Sequence, residues 1–323
     1  MPKATRIHEY GGPEVLKFEE IVLGDPGPGE VRVRHTAIGV NYADTYLRRG
    51  QWPTTLPTGI GSEAAGIVEA VGAKVSSVRK GDAVVYMFPV PGAYAEQRVL
   101  PAAALVRLPK GVSDAQAAAV LLKGLTCWYL LRETYRVKRG DVVLLQAAAG
   151  GVGLIASQWA RALGAKVIGV VGSAAKAKLA QRFGCHQVLI GLDDLPARVH
   201  KLTKGHGVDV VYDGVGKDSF TASLDSLRPR GLMVSYGAAS GPTPEFSAME
   251  LAKRGSLFFT RAGGGDYLAD AKARAKGTRE LFALLEARKI RVHIGQRYPL
   301  ADAVRAHQDL ESRKTSGSSL LIP

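Results

Sequence analysis

Cysteine is nearly missing from this 323-residue chain. Only Cys127 and Cys185 occur; they are far apart and in no C-x-x-C pairing, so neither a disulfide framework nor a cysteine metal cluster can be built from them. Long apolar runs are missing too. No stretch approaches the ~20 residues that a membrane helix needs, and the opening MPKATRIHEYGG has no apolar core of a secretory signal. A cytoplasmic protein with no membrane association is the expectation. Three reaction signatures are also lacking. None of the 11 tyrosines has a lysine four residues later, which excludes a tyrosine–lysine proton relay, and there is neither a G-x-S-x-G elbow nor an H-E-x-x-H helix. Aromatic residues make up 7%, too few to suggest a base-stacking platform for nucleic acid.

What is present describes a globular protein rich in tight turns. Hydrophobic residues make up 46%, and there are 38 glycines. The length is about twice that of a typical domain of about 150 residues, so two domains are expected. The net charge of +14 fits either simple solubility or an anionic partner such as a phosphorylated cofactor or nucleic acid. The densest basic stretch, KARAKGTR at 272–279, also reads as a solvated helix face.

Along residues 1–120, short β-branched runs alternate with Gly/Pro punctuation: GEVRVRHTAIGVN, GIGSEAAGIVEAVG and KGDAVVYMF. These read as closely spaced strands of a compact barrel or sandwich. From about 120 to 260, apolar strands alternate with amphipathic stretches: DVVLLQAA, AKVIGVV, HQVLI, VDVVYD, GLMVSYG and SLFFT. Runs such as VVLL suit strands buried on both faces of a parallel sheet, giving a doubly wound α/β unit. After about 265 come the helix GTRELFALLEARKI, the strand VHIGQRYPL, the helix ADAVRAHQDLESR and a terminal SSLLIP. Residues 290–323 resemble the first segment in texture, so the C-terminus is expected to return to it. The predicted domains are residues 1–120 with 265–323, and residues 121–264.

Ala148, Gly150 and Gly153 form an A-x-G-x-x-G spacing between a predicted strand and the predicted helix LIASQWARALG. This is the dinucleotide-binding fingerprint with alanine in first place. Gly150, followed by Gly151 and Val152, lets backbone N–H groups approach a pyrophosphate, and Gly153 lets the helix pack on the strand. Cofactors of the NAD type call for a carboxylate about 20 positions on, to bond the adenosine 2′-hydroxyl. Here the second strand ends in Gly172, Ser173, Ala174, Ala175 and Lys176. No carboxylate stands there to repel a 2′-phosphate, Gly172 leaves room, and Ser173 and Lys176 can donate to it. NADPH is favoured over NADH, although Lys176 also fits an exposed helix lysine.

The segments EYGGPEVL at 9–16, GVNYADTYLRRG at 39–50, GSEAAGIVEAVG at 61–72, LLKGLT at 121–126, AAAGGVG at 147–153, VYDGVG at 211–216 and ESRKTSGSSLLIP at 311–323 closely resemble one family. It is the zinc-free quinone oxidoreductase branch of the medium-chain dehydrogenase/reductases, which includes zeta-crystallin, and the likeness covers essentially the whole chain. The resemblance implies a Rossmann domain plus a GroES-like catalytic domain, and NADPH-dependent reduction of quinones by hydride transfer. An enone or 2-alkenal reductase on the same scaffold remains an alternative. Some members bind AU-rich RNA, which leaves nucleic-acid binding as an alternative of another class. In zinc-containing relatives a cysteine ligand stands where this chain has Asn41, and a histidine where it has Ser62, which implies that no metal is bound.

By the same resemblance Asn41, Tyr42, Ala43, Asp44, Thr45 and Tyr46 line the nicotinamide end of the site, with Asn41, Tyr42 and Tyr46 forming the acceptor pocket. No obligatory acid stands out among them. Thr126 lies by the nicotinamide; Gly191, Gly214, Tyr236, Gly237 and Arg261 lie along the cofactor; Arg313 reaches in from the C-terminal segment. Relatives carry a tyrosine after the third strand where this chain reads Gly191, which weakens the expected grip on a 2′-phosphate. Tyr42 and Tyr46, four apart, also fit one face of a buried helical turn, and Arg313 also fits a surface charge. A homodimer paired through the edge strand near residues 256–260 is implied as well.

Overall fold

The computed structural model describes residues 1–87 and 90–323, and the chain divides into two compact units. One comprises Met1–Leu122 and Val292–Pro323, the other Lys123–Arg291. The sequence reading sets the second crossing at 264/265. Residues 265–291 fall in the second unit because their main helix packs against the end of α2 (Asp114–Trp128). A side chain at Gly277 would come within 2.8 Å of the Trp128 ring, and one at Gly124 within 2.4 Å of Leu281. The two helices thus touch through glycines.

The first unit contains β1 (Lys3–Ile7), β2 (Lys17–Glu20), β3 (Glu30–Val40), α1 (Tyr42–Arg48), β4 (Thr58–Gly59), β5 (Glu63–Val71), β6 (Ala83–Met87), β7 (Gln97–Pro101) and β8 (Leu105–Arg107). Phe88, the last residue of the expected run KGDAVVYMF, lies outside the described residues. In β3, Val31, Val33, His35 and Ala37 point inward while Arg32, Arg34 and Thr36 alternate outward, the period of two that a strand imposes. Register shifts between Arg32 and Val33 and between His35 and Ala37 bend β3 and β5 together.

After residue 292 the chain adds β15 (Ile294–Pro299), α10 (Ala303–Glu311) and β16 (Ser318–Ile322). β16 pairs antiparallel with β3, extending a sheet ordered β15-β16-β3-β5-β6-β8, with β7 also on β3. The shared core includes Ile7, Val31, Val33, Ile38, Leu100, Tyr298, Leu300 and Leu321. Burial of these apolar side chains fastens the C-terminal segment to the first unit.

The second unit carries β9 (Val142–Leu145), α3 (Gly151–Ala162), β10 (Lys166–Val171), α4 (Ala174–Arg182), β11 (Gln187–Ile190), α5 (Leu195–Leu202), β12 (Val208–Asp213), α6 (Phe220–Asp225), β13 (Leu227–Ser235), α7 (Ala248–Lys253), β14 (Phe258–Arg261), α8 (Gly264–Tyr267) and α9 (Ala271–Glu286). Its six strands are all parallel, in the order β11-β10-β9-β12-β13-β14. The first strand lies inside the sheet and the order reverses at β9/β12. That reversal opens a crevice at the carboxyl ends of the strands, where doubly wound sheets bind ligands. The six strand candidates of the sequence all lie in this sheet. Leu144, Ile168, Val170, Val208, Val211 and Met233 pack from the sheet against Leu195, Val199, Phe220 and Leu224 of the helices.

Candidate active site

In the second unit the fingerprint turn follows β9. Ala148 N–H donates to the Val170 carbonyl at 3.0 Å and Gly150 N–H to the Ala147 carbonyl at 2.9 Å, and Ala147 takes a left-handed φ of 51° to make the turn. Gly150 precedes α3 in extended conformation and has no side-chain cap. The first-turn N–H groups of α3, including those of Gly151 and Val152, therefore face outward with the positive end of the helix dipole. A side chain at Gly153 would lie 2.5 Å from the Ala147 carbonyl oxygen and 2.7 Å from the Ala148 backbone, so glycine here is a packing requirement.

The end of β10 is open. A Cβ at Gly172 would meet nothing within 4 Å, and Ser173 caps α4 by accepting from the Lys176 N–H at 3.4 Å. Gly191 N–H donates to the Val171 carbonyl at 2.9 Å, which sets Gly191 beside Gly172. Further along the sheet, Asp213, Ser235 and Arg261 stand in register at the ends of β12, β13 and β14. Tyr236 lies over Gly214, where a side chain would come within 2.9 Å of its ring, and Gly237 backs onto Gly214. Arg261 donates to the Ser235 and Ala262 carbonyls at 3.3 and 2.9 Å. Apart from Thr126, the residues read from the sequence as cofactor contacts in this unit thus lie at the carboxyl ends of its strands.

Thr126 is on α2, in hydrogen-bond contact with the Tyr129 hydroxyl, which burial pushes up to about 12. Tyr129 stacks on Tyr267, centroids 4.8 Å apart and rings 9° from parallel. Sequence reading missed Tyr129, since an apolar helix has no pattern that singles out one aromatic. Asp213 is fully buried and accepts from Val215 N–H, Gly216 N–H, Ser219 Oγ and Ser223 Oγ at 2.7–3.0 Å. It holds the turn that carries Gly214.

In the first unit Asn41 caps α1, with a reciprocal box formed by Asn41 and Asp44. The buried Asn41 amide donates to Glu63 Oε2 at 3.1 Å, and Glu63 Oε1 accepts from Leu122 N–H at 2.6 Å. Thr45 bonds the Tyr42 carbonyl. Ala43 is half-buried. Tyr42 and Tyr46 are neighbours on one face of α1, centroids 5.7 Å apart, and Tyr46 meets Trp52 edge-on at 5.4 Å. Trp52 is half exposed and belongs to this aromatic group, although nothing in the sequence marks it. Burial, then Tyr46, raise the Tyr42 hydroxyl above its ordinary value of 10.0; Arg49 and Arg313 oppose that shift. Arg313 therefore lies within electrostatic reach of Tyr42. Among the described residues no three of His, Cys, Asp and Glu are grouped to hold a metal ion.

Two family descriptions match: an alcohol dehydrogenase GroES-like domain over residues 27–110 and a zinc-binding dehydrogenase over residues 151–274. A quinone oxidoreductase of Pseudomonas aeruginosa is 48% identical over the full length of both chains. The chain belongs to the quinone oxidoreductase branch of the medium-chain dehydrogenase/reductases. Its fold joins a Rossmann sheet with a GroES-like domain. A crystal structure of Escherichia coli quinone oxidoreductase complexed with NADPH superposes with a TM-score of 0.95, at 47% identity, covering 99% of this chain and 100% of that one. A 2-haloacrylate reductase from a Burkholderia species is 43% identical over 100% of this chain and 99% of its own length.

Proposed function

We propose that this chain is an NADPH-dependent oxidoreductase that reduces quinones without a metal ion. The observation that carries the cofactor is the open, carboxylate-free end of β10. A 2′-phosphate there has the space above Gly172 and the donors Ser173 and Lys176, and meets no carboxylate at those positions. The uncapped start of α3 at Gly150 suits a pyrophosphate. Thr126, Gly191, Gly214, Tyr236, Gly237 and Arg261 serve the rest of the cofactor in the second unit, and residues 41–46 with Arg313 serve it from the first. When bound, NADPH supplies a hydride from nicotinamide C4.

The protein's task is to orient the acceptor and exclude water. Asn41, Tyr42 and Tyr46 are the side chains assigned to the acceptor, and the adjoining Trp52 adds a flat apolar face suited to a planar ring. The quinone oxidoreductase relatives, 48% identical over the whole chain, support a quinone. The relative that reduces 2-haloacrylate supports a second reading, reduction of an activated double bond. That reaction needs a proton after hydride addition, and Tyr42, whose raised value keeps it protonated at neutral pH, or Tyr46 supplies it. Metal independence rests on the residues: Asn41 and Ser62 stand where the zinc relatives are ligated, and the Asn41 amide is engaged with Glu63. A homodimer forms through the edge strand β14, where Phe258 is 60% exposed.

Rates with 1,4-benzoquinone and with 2-alkenals, followed by NADPH absorbance, test the acceptor. A higher kcat/KM for the quinone is expected, and a higher one for alkenals would overturn the quinone reading in favour of the second. Tyr46→Phe tests the proton donor: an unaltered rate with every acceptor would remove Tyr46 from that role.

A further inference from the structure

Five side chains in the first unit form a largely buried chain, of which only Asp44 belongs to the segment assigned to the cofactor above. Asp44 and Arg48 lie four residues apart on α1, and His307 and Glu311 four apart on α10, so each pair shares a helix face. Arg48 Nη1 meets His307 Nδ1 at 2.9 Å, Arg48 Nη2 donates to Glu311 Oε1 at 2.7 Å, and Arg48 Nε donates to the Gly11 carbonyl at 3.1 Å. Tyr94, from the loop before β7, has its hydroxyl 3.1 Å from His307 Nε2 and donates to Asp44 Oδ2 at 2.9 Å. That same Oδ2 accepts from the Asn41 N–H at 2.8 Å. Arg48, Tyr94 and His307 are fully buried and Asp44 nearly so.

The protons in this chain have one arrangement. A guanidinium can only donate, so His307 Nδ1 accepts from Arg48 and the ring proton sits on Nε2. His307 Nε2–H then donates to Tyr94, and Tyr94 passes its own proton direction on to the Asp44 carboxylate. Burial, and next Arg48, lower His307 to about 3, so it is neutral at working pH and the direction of the chain is fixed. Such a fully satisfied buried network admits one geometry.

At about 100° per residue, Asp44 and Arg48 lie roughly opposite Tyr42 and Tyr46 around α1. Holding one face of the helix therefore fixes what the other face presents. We infer that Tyr94 and His307 are positioning residues, which lock the rotation of α1 through Asp44 and Arg48 and so aim Asn41, Tyr42 and Tyr46 at the acceptor. Tyr94 and His307 lie 50 and 259 residues away in sequence from the α1 residues they engage. The inference deepens the oxidoreductase reading and rests on it for the acceptor, but the locking of α1 stands on geometry alone.

The test compares Tyr94→Phe, His307→Leu and His307→Gln in the full-length protein. Gln places an amide N–H near the Nε2 position and keeps the donor to Tyr94; Leu removes it. Misplacing reacting groups by about 1 Å costs up to about 100-fold. We expect kcat with benzoquinone to fall at least about tenfold in Tyr94→Phe and His307→Leu, and less than about threefold in His307→Gln. Inhibition by 2′,5′-ADP, which probes the adenosine end alone, should move less than about twofold. Amide exchange read by mass spectrometry should accelerate in peptides over α1 and stay unchanged over β5 and β12. Unchanged kcat and α1 exchange in all three variants would overturn the inference, as would uniform acceleration across the first unit or equal losses in His307→Leu and His307→Gln. Should the wild type turn over no acceptor, the proposed reaction fails, while α1 exchange still decides the positioning role.

Discussion

The turn after β9 and the turn before α1 do the same structural work, each launching a helix whose first residues are assigned to the reaction, yet they are built by opposite means. The β9–α3 turn is made of backbone: Ala148, Gly150 and Gly153 shape it, and its contacts come from Ala147, Val170 and its own helix. The α1 turn is made of side chains, with Asp44 and Arg48 fastened by Tyr94, His307 and Glu311 from distant parts of the chain. A site whose ligand is a phosphate needs N–H groups and room, which glycine supplies. A site that must aim particular side chains needs a buried scaffold of satisfied polar partners.

The contrast makes the two turns fail differently. The largest effect is expected at Arg48. Arg48→Met leaves Glu311 with Arg49 alone and leaves the His307 ring without its donor, at a cost of about 3–5 kcal/mol, measured by urea unfolding. A loss near zero would mean that the α1 anchor is incidental. Next comes Gly153→Val, where the added atoms meet backbone at 2.5–2.7 Å. About 1–3 kcal/mol of overpacking strain is expected, together with weaker NADPH binding in fluorescence titration. Unaltered stability would contradict the close helix–strand contact.

The buried histidines give a smaller effect that depends on pH. His307, by burial and then Arg48, stands at about 3, and His35, chiefly by burial, at about 4, against 6.5 in the unfolded chain. Below 6.5 the unfolded state takes up protons that the folded state refuses. The stability these neutral rings support is complete above pH 6.5 and is lost as pH falls toward 4 and 3, by up to about 1.4 kcal/mol per pH unit for each ring. His307→Gln should flatten the loss between pH 6 and 5 relative to wild type, and parallel profiles would remove His307 from that role. The smallest effect is at Gly172, where a Cβ meets nothing: Gly172→Ala should change stability by less than about 0.5 kcal/mol. A larger thermal shift would mean that the end of β10 is not open.

The same contrast explains what could be read from the sequence. The parallel sheet and its fingerprint were legible because β9 to β14 are continuous apolar runs and the glycines are local in sequence. The role of Glu63, Tyr94, His307 and Glu311 was not, because each acts through a partner that only the fold brings near: His307 meets Arg48 from 259 positions away. Tyr129 was hidden in the apolar stretch just after α2, where the helix passes into a π-helical turn. Trp52 had no spacing to mark it. The unit boundary at 291/292 was obscured because α9 reads as an ordinary amphipathic helix, and its docking on α2 depends on Gly124 and Gly277, two unremarkable glycines in the sequence.

The central claim, that the open end of β10 selects NADPH for a metal-free reduction, is tested most directly by kcat/KM for NADPH and for NADH with 1,4-benzoquinone, before and after dialysis against a chelator. The account predicts a clear preference for NADPH that survives the chelator, and its reversal on placing a carboxylate beside the 2′-phosphate with Gly172→Asp. Equal values for the two cofactors, or loss of turnover with the chelator, would contradict it.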